Sequence, residues 1–99
     1  MSAETVFDLA SITKAVCTGP AILALVEDRK LHLGDRVSRY LPGFTGEGKE
    51  AITLEQLLLH TSGLPADNAL ADYDGGPRQA LSRIVALPLE AEPGARFEY

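Results

Sequence analysis

The chain has 99 residues and a formal net charge of −5, with 45% hydrophobic and 23% charged residues. This length and composition predict one small globular domain, and the negative charge argues against nucleic acid or an anionic membrane surface as a partner. A single cysteine, Cys17, excludes an intrachain disulfide, and no cysteine or histidine cluster has metal-ligand spacing, so we expect no metal or other cofactor.

The first predicted helix spans about residues 10–28 and is apolar on nearly every face. Residues 21–26 carry no polar side chain, so we expect this helix, with the Cys17 thiol, to be buried. Gly19-Pro20 predicts a kink, because an interior proline removes a backbone hydrogen bond. The acidic upstream flank and these interruptions argue against a signal peptide or a membrane span.

A hydroxyl and an amine, those of Ser11 and Lys14, lie three positions apart at the start of this helix. Residues with that spacing share one helix face, with Cβ atoms about 5–6 Å apart, so the amine can reach the hydroxyl. Lys14 is the only charged residue between Leu9 and Val26. Both an apolar setting and a helix N-terminus favour the neutral amine, which is a base.

A serine hydroxyl becomes a good nucleophile when an adjacent base takes its proton, so the pair indicates an acylatable serine. An alternative interpretation is structural. In it, Ser11 only caps the helix, and Lys14 only extends its charged end to the surface. The Ser-x-x-Lys pattern alone does not choose between them.

Shorter elements are predicted after the first helix. We expect an extended piece and a turn at residues 31–35, one helical turn at residues 36–41 and a loop at residues 44–51. A capping box formed by Thr53 and Gln56 predicts a short helix over residues 54–60.

The C-terminal third contains one more predicted helix. It begins at Pro77 and ends before Pro88, and residues 95–99 alternate as in a strand or extended segment. His60 lies near the end of the preceding helix, where a histidine meets the free carbonyls, and we expect it to be structural. No Gly-x-Ser-x-Gly pattern surrounds Ser62.

A helix that is apolar on all faces must be enclosed by other layers. The other roughly 70 residues include many loop residues, and small domains bury surface poorly, so they are too few to enclose it. We therefore expect residues 1–99 to form a partial domain. The rest of the domain, or a second copy of the chain, would then cover the helix.

Three segments of the chain resemble one known family, that of the serine β-lactamase-related hydrolases. Residues 7–14, Phe-Asp-Leu-Ala-Ser-Ile-Thr-Lys, are similar to the nucleophile motif of class C β-lactamases, penicillin-binding DD-peptidases and related esterases. Residues 57–65, Leu-Leu-Leu-His-Thr-Ser-Gly-Leu-Pro, resemble a second recurrent segment of that family. Residues 93–99 resemble the approach to its Tyr-x-Asn motif. The order of the segments agrees, and together they span nearly the whole chain.

The resemblance implies a role for each matching residue. Ser11 would be the nucleophile that forms an acyl-enzyme, and Lys14 would help to deprotonate it. Tyr99 would be the tyrosine of Tyr-x-Asn, acting as a second general base or proton shuttle. The Ser11 N–H would donate to the oxyanion of the tetrahedral intermediate. The substrate would be a small ester or amide, such as a β-lactam, a D-amino-acid peptide or a carboxylic ester.

The implied fold class is a mainly α part of the β-lactamase/DD-peptidase-like α/β (α+β) fold, with most of the sheet missing. The asparagine beyond Tyr99 and a later Lys-Thr-Gly or His-x-Gly segment are absent from the 99 residues. We therefore expect these residues alone to be inactive. A non-catalytic helical module that binds a partner through its apolar helix is the alternative. We favour a cytoplasmic location, unless a signal peptide precedes Met1.

Overall fold

The structure is a computed structural model that describes all residues 1–99 as two compact units, Met1–Leu31 and His32–Tyr99. Helices and helical turns make up its regular structure, and no strand forms. The only β pairing is an isolated antiparallel bridge between Arg36 and Thr53. The predicted mainly α class is confirmed.

The first unit is built around one irregular helix. Helical geometry begins at Ile12, continues through a π-helical turn at Lys14–Thr18, and leads into α1, Gly19–Glu27. In the π turn the Gly19 N–H donates to the Lys14 carbonyl five residues earlier. This wide turn immediately precedes Pro20, which has no N–H to donate, so the irregularity predicted at Gly19-Pro20 takes the form of a π turn.

The predicted burial of this helix is wrong. No residue of the π turn or of α1 is buried, and the Cys17 thiol is exposed as well. More than half of the surface of Ile12, Val16 and Leu23 remains accessible. The apolar pattern indicates that these side chains favour burial, but the 99 residues do not supply layers that enclose them. No helix in the structure has the length and apolar character needed to span a bilayer.

The second unit has a small apolar core made of Val37, Phe44 and Ile52. Partly buried side chains surround these three residues: Leu41, Leu54, Leu57, Leu64, Val85 and Leu89. The helices of the unit are α2, Leu54–Leu58, and α3, Pro77–Ala86; short 3₁₀ turns lie at Val37–Arg39, Lys49–Ala51 and Leu70–Tyr73. The predicted helical turn after residue 36 is thus confirmed as a 3₁₀ turn.

Local signals place both α helices of this unit. The Gln56 N–H donates to the Thr53 hydroxyl at 3.2 Å, and the Thr53 N–H donates to the Gln56 side-chain oxygen at 3.0 Å. The predicted capping box is therefore present, although α2 ends at Leu58 rather than at residue 60. The last helix begins at Pro77 and ends before Pro88, as predicted.

The segment after α2 is bonded to the C-terminal segment of the chain. The Gly63 carbonyl accepts from the Glu90 N–H at 2.8 Å, the Thr61 carbonyl from the Gly94 N–H at 2.7 Å, and the His60 carbonyl from the Glu98 N–H at 2.8 Å. These bonds do not form a β-ladder, so residues 95–99 are not a strand. They hold the end of the chain beside residues 60–63.

Candidate active site

A strained turn leads into the helix that carries Ser11. Ala10 has a φ of 45°, in the left-handed region that residues with a Cβ rarely adopt. Its N–H donates to the Asp8 carboxylate at 2.8 Å, and the next bonded amide, that of Ile12, donates to the Leu9 carbonyl at 3.0 Å. Ser11 therefore lies at the junction between a left-handed residue and the first helical turn.

The structure brings the hydroxyl of Ser11 and the amine of Lys14 together. The Lys14 Nζ donates to the Ser11 Oγ at 3.4 Å, and the Lys14 N–H donates to the Ser11 carbonyl at 3.1 Å. The side-chain distance is at the long end for a hydrogen bond. Contacts between a nucleophile and its base are often long before substrate binds and shorten in the complex with substrate, and proton transfer between these two groups requires such a shortening.

Both side chains are exposed. The apolar enclosure that the sequence predicts around Lys14 is therefore absent from the chain, because the helix that carries it is itself uncovered. The spacing of the pair does not depend on that enclosure, since both residues belong to the turn that the bond from the Lys14 N–H to the Ser11 carbonyl closes.

The backbone amide of Ser11 donates to no other group of the chain. Amides at the start of a helix have no intrahelical acceptor, and such an N–H suits a negatively charged oxygen. An N–H beside a nucleophilic oxygen is well located to stabilise an oxyanion that forms on an attacked carbonyl.

Tyr99 belongs to the second unit, where its ring lies against His60. The two ring centroids are 4.8 Å apart and the ring planes are inclined by 71°, an edge-to-face arrangement. Phe97 contacts the same imidazole, with centroids 6.0 Å apart and planes at 85°. His60, which the sequence predicts to be structural, thus packs against the residue that the family resemblance marks as catalytic.

The structure contains no metal-binding cluster, and a groove in the second unit carries only carboxylates and uncharged groups. No group of three or more His, Cys, Asp or Glu side chains is arranged to hold a metal ion. A groove of about 340 Å³ in the second unit is lined by three glutamates and three uncharged residues: Glu47, Pro88, Leu89, Glu90, Ala91 and Glu92. None of its side chains carries a hydroxyl or thiol, so the groove does not repeat the serine–lysine arrangement of residues 11 and 14.

The contribution of Asp8 and Ala10 was not predicted from the sequence. Asp8 itself could have indicated the turn, because aspartate side chains commonly accept from the backbone N–H two residues later and so stabilise turns. The left-handed geometry of Ala10 had no such signal, since alanine is neither glycine nor asparagine.

Comparison with known proteins gives the family. The Beta-lactamase family model matches residues 1–99. A "Putative D-alanyl-D-alanine carboxypeptidase" of Escherichia coli (strain K12) is 38% identical over 110 residues, with 96% of this chain and 25% of the relative covered. "Protein flp" of Staphylococcus aureus (strain MW2) is 38% identical over 106 residues, with 99% of this chain and 21% of the relative covered.

A solved structure, EstA from Arthrobacter nitroguajacolicus Rue61a, superposes with a TM-score of 0.65 and 34% sequence identity. The superposition covers 82% of this chain and 22% of EstA. The chain thus spans a quarter or less of the length of these relatives. Because the family model matches every residue, the chain belongs to the Beta-lactamase family of serine hydrolases.

Proposed function

We propose that Ser11 is the nucleophile of an acyl-transfer reaction in which water is the final acceptor. The observation that carries this proposal is the 3.4 Å contact between the Ser11 Oγ and the Lys14 Nζ. The family supports it, because the chain matches the Beta-lactamase model through this segment. The unbonded Ser11 N–H supports it as well.

The reaction has two halves. The Lys14 amine takes the proton of the Ser11 hydroxyl, the oxygen attacks the substrate carbonyl, and the carbonyl electrons move to its oxygen. The Ser11 N–H stabilises that oxyanion, and its collapse expels the alcohol or amine, which takes up the proton that Lys14 received, directly or relayed through the Tyr99 hydroxyl. In the second half, water gives a proton to the Lys14 amine as its oxygen attacks the serine ester. The tetrahedral intermediate collapses to the free acid, and Lys14 returns the proton to the Ser11 oxygen, which restores the hydroxyl.

The proposed substrate is a small ester or amide. The name of the Escherichia coli relative favours peptides that end in D-alanine. The amino-acid sequence of residues 7–14 favours D-amino-acid peptides and carboxylic esters over β-lactams. We further propose that the 99 residues alone do not turn over substrate. Ser11 contributes one oxyanion donor, and the lack of a second typically costs about 10²–10³ in rate.

The test is covalent labelling of the full-length protein. It is incubated separately with a fluorophosphonate and with benzylpenicillin, and the intact mass is measured. We expect a mass gain of one adduct on Ser11, lost in Ser11→Ala and kept in the control Ser82→Ala, which removes an exposed hydroxyl on α3. An adduct that persists in Ser11→Ala rejects the assignment.

Turnover assays then separate the substrate classes. Release of D-alanine from a D-alanyl-D-alanine peptide, hydrolysis of p-nitrophenyl butyrate and opening of a cephalosporin ring are compared in the unaltered protein and in Ser11→Ala. The class whose hydrolysis depends on Ser11 is the substrate class. Lys14→Ala should abolish that turnover, whereas Lys30→Ala, which removes an exposed lysine of the same unit, should not.

A non-catalytic binding role for the first helix is the second candidate. The accessible apolar side chains Ile12, Val16 and Leu23 favour it. In that case no adduct forms on Ser11 with either reagent. The same labelling experiment therefore decides between the two functions.

A further inference from the structure

We infer that Asp8 is a positioning residue for the nucleophile. Its carboxylate holds Ala10 in the left-handed region, and this conformation sets the place of Ser11 and keeps its amide unbonded. The inference rests on the proposed role of Ser11 and goes beyond it, because it assigns a task to a residue outside the Ser-x-x-Lys pair.

The contact itself is short and well defined. The Ala10 N–H donates to the Asp8 Oδ1 at 2.8 Å, and a carboxylate is a stronger acceptor than a neutral oxygen. The contact is local, so it can form without the rest of the fold. Asp8 is not an ordinary helix cap, because the amide that it binds precedes the helix, which begins at Ile12.

Ala10 needs such a partner because its conformation is unfavourable. At a φ of 45° its Cβ lies close to the backbone, and alanine has no side-chain group with which to compensate. Without the carboxylate, Ala10 would favour the right-handed region. The direction of the chain at Ser11 would then change.

The pattern of bonded amides gives the consequence for Ser11. Ala10 donates to Asp8 and Ile12 donates to the Leu9 carbonyl, while the amide between them donates to nothing in the chain. A rotation at Ala10 would move the Ser11 N–H and the Ser11 Oγ together. Asp8 thereby acts on both the attack and the stabilisation of the oxyanion, without touching the substrate.

The experiment uses four variants of the full-length protein: Asp8→Ala, Asp8→Asn, Ala10→Gly and the double variant Asp8→Ala/Ala10→Gly. The rate of Ser11 modification by a fluorophosphonate is separated into an initial binding constant and a maximal rate constant. We expect Asp8→Ala to lower the maximal rate about fivefold, the factor that the loss of one hydrogen bond typically gives, with the binding constant unchanged. Asp8→Asn keeps an acceptor oxygen and should retain most of the rate.

The double variant is the decisive one. Glycine adopts the left-handed region without help, so Ala10→Gly should restore most of the rate lost in Asp8→Ala. A carboxylate needed only for general folding would not be replaced in this way. Asp28→Ala, which removes another exposed carboxylate of the first unit, is the matched control and should leave the rate unchanged.

Each result has one meaning. The inference is overturned if Asp8→Ala reacts as fast as the unaltered protein, if the double variant stays slow, or if Asp8→Asn loses as much rate as Asp8→Ala. Absence of any Ser11 adduct in the unaltered protein would instead defeat the proposed function. Circular dichroism of each variant establishes that the compared proteins are folded.

Discussion

The imidazole ring of His60 lies edge-on against the phenol ring of Tyr99, with their centroids 4.8 Å apart. Two features hold His60 there. Its carbonyl accepts from the Glu98 N–H at 2.8 Å, and its own φ is 56°. The recurrent His-Thr-Ser-Gly segment is therefore attached to the residue that we propose as a proton shuttle.

Replacing this histidine should disturb Tyr99 specifically. His60→Asn removes the ring but keeps a residue that tolerates a positive φ, so the backbone is preserved. We expect the Tyr99 ring resonances to shift in NMR spectra of tyrosine-labelled protein and stability to fall by about 0.5 kcal/mol, the lower end for an aromatic pair. His32→Asn, which changes the other, exposed histidine, is the control. Unmoved Tyr99 resonances in His60→Asn would contradict the packing.

Gly63 is predicted to be intolerant of any side chain. Its φ is 81°, and a Cβ added there would lie 2.1 Å from the Ala91 carbonyl oxygen. Gly63→Ala should therefore lower the free energy of unfolding by roughly 2–4 kcal/mol, because it combines a backbone clash with a disfavoured conformation. The measurement is the urea midpoint. Gly34→Ala is the control, since nothing lies within 4 Å of its added Cβ. Equal midpoints for the two variants would refute the close approach.

Lys49 is buried although its ammonium group is charged. Only 3% of its surface is exposed, and its Nζ donates to the Val85 carbonyl at 2.8 Å, in the last turn of α3. A cation at a helix C-terminus is favourable, and removing it leaves a carbonyl without its partner. We expect Lys49→Met to destabilise the protein by about 1–3 kcal/mol in urea unfolding.

The control for Lys49 is Lys30→Met, because the Lys30 side chain is 66% exposed and pairs only with Asp28 at the surface. Its effect should stay within about 0.5 kcal/mol. If Lys49→Met were as stable as Lys30→Met, the buried bond to Val85 would contribute nothing measurable.

Asp35 should make stability depend on pH in the acid range. The hydrogen bond from the Tyr40 hydroxyl, at 2.6 Å, lowers the pKa of Asp35 most, followed by the bond from the His32 N–H at 2.8 Å. The pKa of Asp35 in the folded protein therefore lies below its ordinary value of about 4. The ionised carboxylate contributes its full stabilisation of the fold above about pH 4, and this stabilisation is lost as the pH falls through the folded pKa. The same bond raises the pKa of Tyr40, so the phenol contributes below about pH 10 and loses its contribution as the pH rises through its folded pKa.

The measurement is the urea midpoint between pH 2 and pH 6. In Asp35→Asn the fall in stability towards acid should be shallower than in the unaltered protein. Asp74→Asn, which changes an exposed carboxylate, should leave the slope as it is. Parallel curves for Asp35→Asn and the unaltered protein would show that the Tyr40 contact does not hold in solution.

Local chemistry alone determined several features of this protein. The capping box of Thr53 and Gln56 and the proline at the start of α3 are signals that involve only residues close in the sequence. Both helices begin where these signals predict. The Ser11–Lys14 contact is equally local, because both residues belong to one turn, which the bond from the Lys14 N–H to the Ser11 carbonyl closes. The segments at residues 7–14, 57–65 and 93–99 also sufficed to predict the family, which the family model confirms.

Tertiary structure decided the features that depend on residues far apart in the chain. The sequence predicts that Lys49 lies in a loop, and only the packing against Val85, 36 residues away, buries it. The contact of His60 with Tyr99 and the approach of Gly63 to Ala91 likewise join distant segments. Periodicity predicted that the first helix favours burial, and the short chain predicted that the other residues are too few to enclose it; its actual exposure is read only from the tertiary structure. A sequence pattern states the preference of a segment, whereas burial also requires a neighbour.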